Sequence, residues 1–337
     1  MKHLGLLKTI AIGATAVGVL AATPALAQNK DYILNTASTG GTYHPVGTAI
    51  ATLSKVKLLP KQKFSLTAVN SAGSGANVQA LGADTAQFAI IQGLFGSYAA
   101  TGTGPVTAPQ TNMRSVSMLW QNVEQFVIGN KFAKTGTAAD LIAMKGMTMG
   151  FGKQNSGTIG SNRVLLKGLG LDMEKDFKLM YGGYGPSADA LANGQVAGIG
   201  APAGPPTGAI TKLLASNAGK FTLLNVTPDE AKKMDSGRNL WVPFTIKAGT
   251  YPGQDKDVQT IAQPNFLAVN ADVSDEHVYL LTKAIYENLA FLQAIHPATK
   301  AMNVQGATAG LPVPLHPGAA RYYKEVGVDI PSHLMAK

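Results

Sequence analysis

The chain has 337 residues, no cysteine, and 28 Lys and Arg against 19 Asp and Glu, which gives a net charge of +9. The absence of cysteine excludes a disulfide scaffold, a thiolate metal site and a cysteine nucleophile. Hydrophobic residues make up 45% of the chain and charged residues 14%, a composition that can bury a core and does not suit an intrinsically disordered protein. The length allows one large domain or two of medium size.

Residues 1–27 have the three parts of a secretory signal peptide. Lys2 and Lys8 form a positive n-region, residues 9–22 form a short apolar segment, and Ala25-Leu26-Ala27 is an A-x-A cleavage site. The apolar segment is too short for a convincing membrane span. We predict cleavage after Ala27 and an exported, periplasmic mature protein, with an uncleaved N-terminal anchor as the alternative.

The mature chain repeats a unit of strand, glycine-rich turn and helix. Four such units predict an α/β architecture with mainly parallel sheets. A buried strand is also predicted over residues 88–91. The predicted strands and their helices are 32–35 with 46–53, 64–69 with 77–81, 147–151 with 159–169, and 177–181 with 188–193.

Two extended segments, residues 114–128 and 258–269, are each long enough to cross from one lobe to another. The second precedes an amphipathic helix predicted over residues 275–295. We therefore predict two lobes, with residues 28–118 and 268–337 in lobe I and residues 119–267 in lobe II. Ligands of open α/β sheets bind beyond the carboxyl ends of the strands, where the glycine-rich turns lie.

The turns themselves indicate an anion site. A helix start leaves about four N–H groups unpaired and carries roughly half a positive charge, so small and hydroxyl residues there let an anion approach. One such residue is most often only a cap, but these turns carry several each, and two turns fall in each lobe. The turns are Thr39-Gly40-Gly41-Thr42, Gly73-Ser74-Gly75, Ser156-Gly157-Thr158 and Gly182-Gly183-Tyr184-Gly185.

Other side chains near these turns are candidates for ligand contact. Tyr43 and Tyr184 offer a hydroxyl and an aromatic wall, although packing against a helix start would equally explain either one. Gln92 follows the strand at 88–91. Arg163 is suited to pairing a carboxylate bidentately, but an outward salt bridge is the commoner fate of such an arginine.

Several blocks occur in a fixed order along the mature chain: Gly40-Gly41-Thr42-Tyr43, Ser74 with Asn77, Asn155-Ser156-Gly157-Thr158, and His316-Pro317-Gly318-Ala319. In these blocks the chain resembles the TAXI family, the extracytoplasmic solute receptors of tripartite ATP-independent periplasmic (TRAP) transporters. The resemblance implies a type II periplasmic-binding-protein fold that closes by hinge motion and delivers its ligand to TRAP membrane subunits. It also implies a glutamate-like amino acid or another small carboxylate as ligand.

The predicted ligand-binding residues combine the turns with the family blocks: Thr39, Gly40, Gly41, Thr42, Tyr43, Ser74, Asn77, Gln92, Ser156, Gly157, Thr158, Gly183 and Tyr184. His316 is expected to be structural because of its position near the C-terminal end.

The chain departs from the family where acidic residues are usual. Gln87 and Gly198 stand where an aspartate is common, and Asn122 and Gln125 stand where a glutamate and a histidine are frequent. The ammonium of an amino acid needs carboxylate or carbonyl partners. The shortage of acids therefore favours a ligand without an ammonium group.

Enzyme, metal and nucleic-acid sites are not indicated. The chain lacks the common hydrolase, phosphate-loop, metalloprotease and dinucleotide motifs, its six histidines are not at metal-ligand spacing, and its basic residues are scattered. We expect a monomeric receptor without cofactor that binds a small organic anion. The alternatives are a ligand-sensing partner of a membrane sensor and a secreted hydrolase using Ser74 or Ser156 with a distant histidine.

Overall fold

A computed structural model describes residue 1 and residues 29–335. The predicted signal peptide and its cleavage site after Ala27 therefore lie outside the described residues, apart from Met1. In the described part of the chain, no helix has the length and apolar character needed to cross a membrane.

The strands and helices alternate along most of the chain. The strands are β1 (Lys30–Asn35), β2 (Phe64–Val69), β3 (Phe88–Gln92), β4 (Met113–Val123), β5 (Phe126–Gly129), β6 (Thr148–Gly150), β7 (Lys178–Leu179), β8 (Gly198–Gly200), β9 (Phe221–Leu223), β10 (Val242–Ile246) and β11 (Val258–Asn270). The helices are α1 (Tyr43–Lys57), α2 (Leu59–Gln62), α3 (Ser74–Gly82), α4 (Gly93–Thr101), α5 (Gly157–Gly168), α6 (Met173–Asp176), α7 (Tyr184–Ala192), α8 (Gly208–Ser216), α9 (Pro228–Asp235), α10 (Asp275–Glu287), α11 (Leu289–Ile295) and α12 (Pro317–Glu325).

The strands form two sheets. The first has the order β10-β11-β3-β1-β2, with β4 also paired to β11, and the second has the order β7-β6-β8-β5-β9. The crossing segments predicted from the sequence are β4 continuing into β5, and β11. These two strands run antiparallel to each other from Ala262 opposite Val123 to Asn270 opposite Met113.

The two ends of each crossing strand belong to different hydrophobic clusters. One cluster of buried side chains takes in β1 to β3, α1, α10, α12 and both crossing strands as far as Trp120 and from Phe266 onward. Two further clusters take in the middle of the chain, including Val123 and Ala262. The packing therefore divides between residues 120 and 123 on one crossing strand and between 262 and 266 on the other.

All four predicted strand-turn-helix units are present, but two details of the prediction were wrong. The sheets are mixed, because the crossing strands introduce antiparallel pairs beside the parallel pairs of β1 with β2 and β3 and of β6 with β7 and β8. The helix predicted over 275–295 is interrupted at Asn288, whose side-chain amide donates to Ala284 O at 2.8 Å. An asparagine amide that bonds a nearby carbonyl competes with the helical backbone.

Candidate functional site

The first residues of α1, α3, α5 and α7 line one cleft between the two sheets. Each of these helices follows a parallel strand, and the pairs β1/β2 and β6/β7 bring the strand ends to a common edge. The cleft has a volume of about 460 Å³, counting the open space at its mouth. Its lining residues are Ala37, Ser38, Gly41, Thr42, Tyr43, Ala72, Gly73, Ser74, Gln92, Asn122, Lys153, Ser156, Gly157, Thr158, Gly182, Gly183, Tyr184, Pro202 and Ala203.

Ten of the thirteen residues predicted to bind ligand lie in this lining: Gly41, Thr42, Tyr43, Ser74, Gln92, Ser156, Gly157, Thr158, Gly183 and Tyr184. The other three lie elsewhere. Thr39 is exposed on the surface, and the Gly40 carbonyl accepts the N–H of Ala209 at 3.1 Å. Asn77 is fully buried, and its amide donates to Thr36 O and Ile90 O, both at 2.8 Å, so it holds α3 against the ends of β1 and β3.

The four helix starts differ in how their own side chains cap them. Ser156 Oγ accepts from the N–H of Ile159 at 3.1 Å and so caps α5. No side-chain cap is present at α1, α3 or α7, where the capping positions are Thr42, Gly73 and Gly183. Thr42 donates its hydroxyl to Gly204 O at 2.8 Å instead. At these three starts no capping side chain accepts from the first backbone N–H groups, although Ala76 N in α3 donates to Asn155 O.

A layer of amide side chains, here called the amide floor, lies at the base of the cleft: Gln92 and Asn122, which line it, and Gln263 and Asn265 beside them on β11. Asn265 stands opposite Gln92 on β3, and Gln263 stands opposite Asn122 on β4. Residues directly opposite in a sheet share a face. All four side chains are buried, and the hydroxyl of Tyr43 donates to Asn265 Oδ1.

The hydrogen bonds of Gln92 fix the orientation of the neighbouring amide. Gln92 Nε2 donates to the carbonyl of Gly157 at 3.0 Å and to Ser161 Oγ at 2.9 Å. Since a carbonyl can only accept, the other end of Gln92 is its oxygen, and it accepts from Asn122 Nδ2 at 3.1 Å. Asn122 Oδ1 is left without a hydrogen-bond partner within residues 29–335.

The charge around the cleft has one sign. Lys153 is the single charged side chain in the lining that the structure describes. It follows β6, and its aliphatic chain reaches the neighbourhood of Gly183. Lys153 was not among the predicted site residues, and Asn122 was noted only as a departure from the family pattern. A lysine shortly after a parallel strand was the available signal.

Both cleft tyrosines stay protonated. Burial raises the pKa of Tyr43 and of Tyr184 well above the ordinary value. Tyr184 donates its hydroxyl to Pro202 O and lies 2.7 Å from Thr158 Oγ1. Both rings therefore serve as neutral walls with fixed hydroxyl groups.

A buried carboxyl lies beside the floor, where the two crossing strands meet. Glu124 is 1% exposed, and its Oε1 accepts from Trp241 Nε1 at 2.8 Å. Burial raises the pKa of Glu124 to about 7, against the opposing effect of hydrogen bonds from Trp241, Gln263 and Ser161. In the described part of the chain its Oε2 has no partner. A desolvated carboxyl with one unpaired oxygen favours its protonated form.

Direct hydrogen bonds join the two sides of the cleft. Besides those made by Gln92 and Thr42, the N–H of Ala76 in the first turn of α3 donates to Asn155 O at 3.0 Å. At the opposite side, the N–H of Ala209 at the start of α8 donates to Gly40 O. The two sides of the cleft are therefore in direct contact.

Other candidates from the sequence have structural roles. Arg163 forms an exposed ion pair with Glu174 at 2.6 Å, the outward alternative. His316 is buried and its Nδ1 caps α12 by accepting from Gly318 N at 3.2 Å, as expected. No histidine lines the cleft among the described residues, and these residues contain no group of three or more histidine and acidic side chains suited to a metal ion.

Solved structures share this fold. MatC from Rhodopseudomonas palustris, determined with bound malate, matches with a TM-score of 0.53 at 15% identity, over 88% of this chain and 97% of MatC. A protein from Bordetella bronchiseptica RB50 matches with a TM-score of 0.51 at 12% identity, over 88% of this chain and 80% of that one. The predicted type II periplasmic-binding-protein fold, with two α/β lobes, is thus confirmed. The NMT1-like family matches residues 34–327, most of the chain, and the protein belongs to this family.

Proposed function

We propose that the protein is a periplasmic solute-binding receptor that captures a small carboxylate and delivers it to the membrane subunits of a TRAP transporter, as a TAXI receptor does. The observation that carries this proposal is the convergence of four helix N-termini and Lys153 on one cleft that no acidic side chain lines among the described residues. Fixed N–H dipoles and one cation favour a negatively charged ligand.

The proposed lobes are residues 28–118 with 268–337, and residues 119–267. The change of hydrophobic cluster between residues 120 and 123 and between 262 and 266 falls within about five residues of these boundaries and supports a division there. Closure would then bring the starts of α1 and α3 in one lobe against those of α5 and α7 in the other. A ligand that contacts both lobes stabilises the closed form by its differential affinity. The proposed ligand-binding residues are the ten residues predicted from the sequence that also line the cleft.

The TAXI assignment is supported by the blocks around Thr42 and Gly157, which lie at two of the helix starts in the cleft. Export to the periplasm would follow from cleavage after Ala27. Uptake of the bound carboxylate by vesicles that contain the TRAP membrane subunits should require the protein. Uptake that proceeds equally without it would contradict the transport role.

The carboxylate assignment predicts a difference between an acid and its amide. We expect a thermal-shift screen of mono- and dicarboxylates to find ligands that raise the melting temperature, because binding at 100 times the dissociation constant adds about 2.7 kcal/mol to stability. Replacing the carboxylate of a hit by a primary amide keeps its size but removes the charge. We expect about tenfold weaker binding by calorimetry, since charge-assisted hydrogen bonds are stronger than neutral ones. Equal binding of acid and amide would contradict the proposal.

A further inference from the structure

The amide floor contains a hydrogen-bond acceptor that the protein does not use. Asn122 is 2% exposed, lines the cleft, and has no partner for its Oδ1 among residues 29–335. Its orientation is not free, because Gln92 requires the Nδ2 of Asn122 as a donor and is itself held by Gly157 O. A buried acceptor without a partner is costly, so a donor on a bound molecule would relieve that cost.

We infer that the ligand is a hydroxycarboxylate, whose neutral hydroxyl donates to Asn122 Oδ1 while its carboxylate faces the helix starts. This inference rests on the proposed function and narrows its ligand from carboxylates in general to those with a hydroxyl group. A hydroxyl has one donor, which matches the one buried side-chain acceptor without a partner among the described lining residues.

An ammonium group fits this cleft poorly. It brings three N–H donors and a positive charge, whereas the cleft has Lys153 and four positive helix ends. Three carbonyl groups in the lining already accept hydrogen bonds: Ser38 O from Gly41 N, Gly157 O from Gln92 and Pro202 O from Tyr184. An ammonium bound at Asn122 would keep donors that are desolvated and unpaired.

The buried acid beside the floor offers no acceptor in the cleft lining. Glu124 lies behind the floor, where its Oε1 accepts from Trp241 and Gln263, and it is not part of the cleft lining. The amino-acid and the hydroxy-acid form of one carbon skeleton therefore meet the same acceptor, Asn122 Oδ1, and differ in the number of donors and in charge.

The test uses matched sets of probes in calorimetry. Each set keeps one carbon skeleton: propionate, lactate and alanine; succinate, malate and aspartate; glutarate, 2-hydroxyglutarate and glutamate, with both enantiomers where they exist. In the skeleton that binds best, we expect the hydroxy acid to bind about tenfold more tightly than the unsubstituted acid and the amino acid. An amino acid or unsubstituted acid that binds as tightly as the hydroxy acid overturns the inference. Failure of every carboxylate to bind overturns the proposed function itself.

Variants of Asn122 test the contact. In Asn122→Leu, we expect the hydroxy acid to lose its advantage while the unsubstituted acid binds within about threefold of its original affinity. The matched control is Gln121→Leu, because Gln121 is the adjacent amide on the opposite face of β4 and is not in the cleft lining. Equal weakening of all three probes by Asn122→Leu overturns the inference.

If Asn122→Leu does not fold, a second variant, which keeps the shape of the floor, tests the same contact. Asn122→Asp places a carboxylate where the free acceptor now lies, and this change favours an ammonium group. We expect the ratio of amino-acid to hydroxy-acid affinity to rise at least tenfold, measured with the folded protein by calorimetry. An unchanged ratio overturns the placement of the hydroxyl at Asn122.

Discussion

The wall of the cleft formed by α1 and α3 and the wall formed by α5 and α7 use the same unit of strand, turn and helix, but their polar groups are engaged differently. On the first wall, Thr42, Tyr43 and Ser74 all bond to other parts of the protein and none is charged. On the second, Lys153 brings a charge and Thr158 pairs with Tyr184 on its own side. The first wall thus supplies a fixed, neutral surface, and the second supplies the charge.

The largest expected effect is on the free energy of unfolding, and it comes from Glu124, which lies beside the floor where the two crossing strands meet. Below about pH 4.5 this carboxyl is protonated in both states, whereas between 4.5 and about 7 the folded protein keeps a proton that the unfolded chain releases. The free energy of unfolding should therefore fall as pH rises through this window and level off above it, by up to about 3 kcal/mol.

Glu124→Gln should remove this pH dependence and raise stability at pH 8, because a glutamine oxygen can still accept from Trp241. Urea unfolding at several pH values measures both effects. Asp255→Asn, at an exposed position, is the control and should keep the slope. A Glu124→Gln protein with the wild-type slope between pH 4.5 and 7 would show that another group is responsible.

The next largest effect concerns contact between the walls at Gly157. A Cβ there would lie 2.7 Å from Gln92 Oε1 in the amide floor and 2.8 Å from Ser74 Oγ on the opposite wall. Gly157→Ala should therefore hold the walls apart and weaken carboxylate binding about 10- to 100-fold, in keeping with 1–3 kcal/mol for overpacking. Calorimetry gives the affinity, and small-angle scattering with ligand should give a larger radius of gyration than for the wild type.

Gly185→Ala is the matched control, because a Cβ at this helix start meets no described atom within 4 Å. Its affinity should stay within about twofold of the wild type. Equal affinities of Gly157→Ala and the wild type would mean that the walls need not touch at this point when ligand is bound.

The smallest effect tests the charge of the second wall. Lys153→Met should weaken carboxylate binding a few-fold at low ionic strength, and the difference should shrink with added salt because Lys153 is exposed. Lys232→Met, at an exposed position on α9, should have no effect on affinity. An equal loss in both variants would mean that the overall charge, rather than a local contact, attracts the ligand.

Local sequence patterns predicted the helix starts of this cleft, but of its floor they predicted only Gln92. Each start combines a strand, a glycine-rich turn and a helix within about twenty residues, so its parts are visible together in the sequence. The floor brings Gln92, Asn122 and Gln263 together from three strands far apart in the chain. Their meeting depends on strand register, which periodicity along one segment does not reveal.

Two predictions failed for the same reason, because local sequence does not show long-range contacts or backbone continuity. Asn77 was predicted as a ligand contact because it belongs to one of the family blocks, but its amide donates to the backbone carbonyls of Thr36, directly after β1, and of Ile90 on β3. The break at Asn288 was hidden because the apolar face continues through it, from Ile285 to Leu292. Amphipathic periodicity reports which side is buried, and it does not report whether the backbone is continuous.

The pairing of β4 with β11 shifts between Asn265 and Phe266, where Leu119 is an extra residue on β4. A strand alternates its side chains with a period of two, so one inserted residue exchanges the faces of everything beyond it. Because opposite residues share a face, Met118 and Trp120 lie on opposite faces although they are two residues apart. A regular β4 that kept Leu119 and the pair of Met118 with Phe266 would turn Trp120 and Asn122 to the side now held by Gln121. The chemistry of the cleft thus depends on the bulge at Leu119, and straightening this strand would alter ligand recognition even if every cleft residue were retained.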